Sequence, residues 1–123
     1  MKNKFLFLIL ICACLTSAQG CKKDDSQNPT QTINVSISSN QTYQYDLGSF
    51  GDEEGAEITK QASHFLISKT ERVIESGKTL YTYIPELNYE GSDVVEIKTE
   101  RGSDGASPST TITTIIIKFT VTK

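Results

Sequence analysis

From Ile33 onward apolar and polar residues alternate, and this period of two is the feature that most restricts the fold. Ile33, Val35 and Ile37 are separated by Asn34 and Ser36, and Tyr43, Tyr45 and Leu47 by Gln44 and Asp46. Successive side chains of a strand point to opposite faces, so each run describes a strand with one face buried. Further strands are expected at His64 to Ser68, Leu80 to Ile84, Val94 to Thr99 and Ile112 to Val121. In the last of these Ile115, Ile117, Phe119 and Val121 fall on one side. Turn-forming stretches separate the runs, among them Gly48 to Asp52, Ser76 to Lys78, Glu90 to Asp93 and Gly102 to Gly105. Gly51 to Ala62 is expected to form at most one helical turn, and no other segment after residue 20 holds a helical period. Six or seven short strands predict an all-β fold of two packed antiparallel sheets, with a small closed barrel as the alternative.

The first twenty residues read differently. Met1 to Lys4 carries two lysines, Phe5 to Leu15 is an unbroken apolar run of eleven, and Thr16 to Gly20 is small and polar. This is the layout of a secretory signal, and eleven residues are too few to cross a bilayer, which takes roughly 20. Cys12 and Cys14 lie inside the apolar run and would leave with it. Cys21 then remains alone, so no internal disulfide is possible and the thiol needs another role. Ala18-Gln19-Gly20-Cys21 resembles the lipobox of bacterial lipoproteins, with Ala18 where Leu is usual. That resemblance implies acylation of Cys21, and two or three acyl chains hold a protein stably where one does not. Lys23-Asp24-Asp25 resembles the export signal that sends lipoproteins of Bacteroidota to the cell exterior. The expected organisation is a leader over residues 1–20, an acylated cysteine with a polar tether over 21–31, and one domain over 32–123.

The segment Tyr83 to Ile97 carries a second resemblance. Its Tyr83-x-Pro85-x-x-Asn88-Tyr89-x-Gly91-x-Asp93-x-Val95-x-Ile97 spacing is similar to a pattern of bacterial cadherin-like and related immunoglobulin-like repeats. The resemblance covers about forty residues, Leu80 to Val121, and implies an immunoglobulin-like sandwich of about seven strands. It also implies a structural corner at Pro85, Asn88, Tyr89, Gly91 and Asp93, with the Tyr89 ring buried and its hydroxyl bonded to nearby backbone. This fold hosts many unrelated roles, so it implies no particular activity.

Composition narrows the function classes. After residue 20 ten Lys and Arg face fifteen Asp and Glu, which argues against a nucleic-acid partner. Ser and Thr make up 26 of those 103 residues, in keeping with a β-rich exported chain. His64 is the only histidine, and no nucleophile elbow, His pair or Cys cluster accompanies it, so no enzyme and no cofactor is expected. Asp52, Glu53 and Glu54 form a dense acidic loop that is a weak calcium candidate, since calcium wants six to eight oxygens. Tyr43, Tyr45, Tyr81, Tyr83 and Tyr89 pose a choice between stacking on sugar rings and packing across strands. The final strand, if its edge is open, invites another strand, with Lys118 as a guard against it. The expectation is a lipid-anchored, non-catalytic binding or adhesion module at the outer membrane, facing the exterior, whose ligand is a protein or polysaccharide. The alternative is an accessory subunit of an outer-membrane uptake or envelope complex.

Overall fold

The computed structural model describes residues 28–52, 54–102, 105–109 and 111–123. Seven strands follow one another: β1 (Thr30–Ser38), β2 (Tyr43–Ser49), β3 (Gly55–Lys60), β4 (Phe65–Arg72), β5 (Lys78–Pro85), β6 (Gly91–Arg101) and β7 (Thr111–Thr122). They form a β-sandwich, with a four-stranded sheet ordered β1-β7-β6-β3 and a three-stranded sheet ordered β2-β5-β4. The alternating apolar positions meet between the sheets. Ile37, Tyr81, Tyr83, Val95, Ile97, Ile117, Phe119 and Val121 are buried there, and the Tyr83 and Phe119 rings stack at 4.0 Å.

β7 is built from β-branched residues and an aromatic, which suit a pleated and half-buried surface. It is paired on both sides, antiparallel to all of β6 and parallel to all of β1, so the larger sheet is mixed and not antiparallel throughout as expected. The open edge considered for the final strand therefore does not exist, and Lys118 is not an edge guard. The edges of the larger sheet are β1 and β3, and those of the smaller sheet β2 and β4.

Two further expectations are corrected. Gly55–Lys60 is a strand rather than a helical turn, paired with β6 and kinked between Ile58 and Lys60. Its alternation rests only on Ala56 and Ile58, both half-buried, because an edge strand of six residues has little core to face. The first strand begins at Thr30, two residues before the expected boundary, and Thr114 N donates to Pro29 O at 2.9 Å to anchor that entry.

The two ends of the sandwich differ. The β2–β3, β4–β5 and β6–β7 connections lie at one end, and the parallel pairing of Thr30 with Thr114 brings the start of β1 to that same end. The β1–β2, β3–β4 and β5–β6 connections lie at the other, with the C-terminal Lys123.

Candidate functional site

At the end away from the start of β1, the Pro-Asn-Tyr-Gly-Asp spacing becomes a corner. Pro85 is fully buried and closes β5. The chain then turns, with Tyr89 N donating to Glu86 O at 3.1 Å and Asn88 at φ 63°. Asn tolerates that left-handed conformation better than most residues. Gly91 sits at φ 145°, and a Cβ there would lie 2.9 Å from the Tyr89 hydroxyl. The hydroxyl donates to Ser92 O at 2.7 Å, as a corner tyrosine should. The Tyr89 ring, expected to be buried, is half-buried against the core and stacks on His64 at 4.1 Å. His64, from the β3–β4 connection, covers one face of the ring.

Asp93 is the hub of this corner. Its carboxylate accepts from the backbone N–H groups of Ser63 (2.8 Å), His64 (2.9 Å) and Val94 (2.9 Å). Tyr83, buried beside it, has its hydroxyl 3.0 Å from the same carboxylate and 3.0 Å from His64 O. Burial pushes the Asp93 carboxyl up, but the three backbone donors and the Tyr83 hydroxyl outweigh it and hold the group below its ordinary value. Burial raises the Tyr83 phenol, and the bond to Asp93 and its charge raise it further. The Asp93–Tyr83 pair ties the crossing from β3 to β4 onto β6. His64 Nδ1 lies 3.6 Å from Glu86 Oε2, and no nucleophile addresses its ring among the described residues.

Beside the corner lies a groove of about 720 Å³ on the outer face of the four-stranded sheet. It opens where β3 stops, since β3 reaches only as far as the pairing of Lys60 with Glu96. Val94 and Ile116, both half-buried, line it together with Lys60, His64, Asn34 and Lys118. Nothing in the strand pattern announced it, because it arises from where one strand ends.

The opposite end is braced. Arg101 donates from Nη1 to Ser49 O and from Nη2 to Leu47 O, both at 2.6 Å, while its guanidinium lies 4.1 Å over the Phe50 ring. The bulge at Gly48, φ 87°, leaves room for that guanidinium, which a Cβ would meet at 2.9 Å. Glu54 accepts from Gly51 N at 2.9 Å and from Gly102 N, tying the β2–β3 loop to the end of β6. Its oxygens are thus engaged with backbone, and no group of three His, Cys, Asp or Glu suited to a metal occurs among the described residues. Asp52 is exposed in the same loop. Cys21, Lys23, Asp24, Asp25 and Glu53 lie outside the described residues. Of the tyrosines weighed for sugar stacking, Tyr81 and Tyr83 are fully buried and Tyr43 meets Phe119 edge-on at 5.4 Å, so these three pack across strands.

No protein-family model matches the chain, and no curated protein matches it. Among solved structures it is similar to PbICP-C, in complex with falcipain-2, at a TM-score of 0.54 and 16% identity over 78% of this chain and 92% of that one. Weaker likenesses, each at a TM-score of 0.45, are to the cysteine protease inhibitor EhICP2 from Entamoeba histolytica and to a 2,6-sialyltransferase from Photobacterium sp. JT-ISH-224. The first is 10% identical over 80% of this chain and 91% of that one. The second is 12% identical over 78% of this chain, which spans only 18% of the sialyltransferase chain. The likeness to PbICP-C is one of fold.

Proposed function

We propose that this chain is a small outer-membrane lipoprotein of Bacteroidota type, anchored through acylated Cys21, whose immunoglobulin-like domain binds a partner without catalysing a reaction. The strand order supports the immunoglobulin-like type. It matches the ABED and CFG sheets of that fold with the first strand moved across to lie beside the last.

The observation that carries the reading is the point at which the chain enters the sandwich. Thr30 lies nine steps along the chain from Cys21, and at about 3.6 Å each these reach at most about 32 Å. β7, twelve residues long, extends about 40 Å. An anchor on Cys21 therefore keeps the braced loop end near the membrane and leaves the corner and its groove free to face a partner. PbICP-C in complex with falcipain-2 supports macromolecular binding by precedent for this kind of sandwich.

The test is protease accessibility on intact cells of the native host, combined with membrane fractionation. Wild type is expected to be membrane-bound and digested, Cys21→Ala to be released, and a Lys23→Ala/Asp24→Ala/Asp25→Ala variant to be bound but protected. Retention of Cys21→Ala in membranes would remove the lipid anchor from this reading. Protection of the wild type would turn the search to partners inside the envelope, the setting of an accessory subunit.

A further inference from the structure

We propose that the groove on the outer face of the four-stranded sheet binds a carboxylate-bearing saccharide, with Lys118 as the residue that meets the carboxylate. This deepens the binding-module reading and rests on it.

Lys118 is the starting point. It stands in the middle of β7, a central strand, with uncharged Asn34 and Val94 as its register neighbours on either side. Its ammonium has no ion-pair partner among the described residues, in a chain rich in acidic groups. The other strand lysines behave differently: Lys69 meets Glu71 at 2.7 Å, Lys78 meets Asp46 at 2.6 Å and Lys98 meets Glu100 at 2.8 Å. Lys60, across the groove, is held only loosely, 3.7 Å from Glu96. Two cations with unspent hydrogen-bonding capacity thus line one concavity, where a single carboxylate would be met from two sides.

The rest of the lining selects among anions. Val94 and Ile116 supply aliphatic surface, which suits the C–H face of a pyranose ring and offers nothing to a bare phosphate. Asn34, Ser92 and Thr120 supply amide and hydroxyl groups along the sides, and Glu96 can accept from sugar hydroxyls. A volume of about 720 Å³ falls in the range of small-ligand sites. The groove is open to solvent, so a unit within a longer chain can lie in it without the ends being enclosed. A smaller hollow of about 230 Å³ beside Gly55 and Glu100 lacks this character, because its Lys98 is already paired on both sides with Glu57 and Glu100.

The test is titration of the isotope-labelled, full-length lipoprotein in detergent with tetragalacturonate and with its fully methyl-esterified form, followed by amide NMR shifts. The expected result is perturbation centred on Asn34, Val94, Ile116 and Lys118, binding that weakens as salt rises, and at least a tenfold loss on esterification. Lys118→Gln, at an exposed position, should weaken binding at least tenfold while thermal unfolding stays unchanged. Asn34→Asp, which places a negative charge beside the same site, should weaken it as well. Equal binding of the ester would overturn the carboxylate basis. Perturbation elsewhere, or none with either probe at millimolar concentration, would overturn the site itself. Each of these results is independent of the fate of Cys21→Ala on cells, so failure of the groove and failure of the anchor are read separately.

Discussion

Asp93 and Gly91 show how single residues set the corner. Replacing Asp93 with Ala would leave the part-buried N–H groups of Ser63, His64 and Val94 without their acceptor, and costs on the order of 2 kcal/mol through the lost bonds to a charged group. Urea unfolding would measure it. Because the folded state holds the Asp93 carboxyl below its unfolded value, its contribution is present above about pH 4. It fades as the pH falls through the lower folded value, so wild type should lose stability faster than Asp93→Asn on acidification. Gly91→Ala meets both an adverse φ and the Tyr89 hydroxyl, and is expected to cost about 1–3 kcal/mol. Adding Tyr89→Phe should recover the steric part, and failure to recover any of it in a double-mutant cycle would locate the cost wholly in the backbone. Asn88, Gly91 and Asp93 were legible through the resemblance to cadherin-like repeats, and the structure gives the first two a positive φ and the third three backbone donors. The stacking of Tyr89 on His64 was not, since it brings in a connection some twenty-five residues away.

At the scale of strands, legibility followed the amount of core each one faces. β5, β6 and β7 put their apolar residues deep between the sheets and announced themselves by alternation. β3 did not, because two half-buried side chains make a pattern too short to separate from a turn. Pairing is a matter of the whole chain, so the placement of β7 between β1 and β6 lay beyond a reading of its own residues. Arg101 is the element-scale counterpart of Asp93, joining β6 of one sheet to the end of β2 in the other. Arg101→Ala should destabilise the fold by about 2 kcal/mol, through two lost charge-assisted bonds and the contact with Phe50. Hydrogen exchange should quicken first in the β2–β3 loop. A uniform effect on all strands would argue that the brace belongs to the global core instead.

For the whole molecule, the decisive feature is that β1 enters at one end and β7 leaves at the other while the two run parallel. Removing residues 1–38 would expose the full length of β7 as a flat edge, and the shortened chain is expected to aggregate, as sedimentation would show. The same arrangement sets how the domain carries load. A membrane anchor draws on Thr30, whereas a partner held at the far end draws the remainder in the opposite direction. The nine register pairs from Thr30–Thr114 to Ser38–Thr122 then resist together by sliding, rather than opening one after another from an end. Pulled between its termini in a force spectrometer, the domain should give way in a single high-force event, with the parting of β1 from β7 as the step that sets the force.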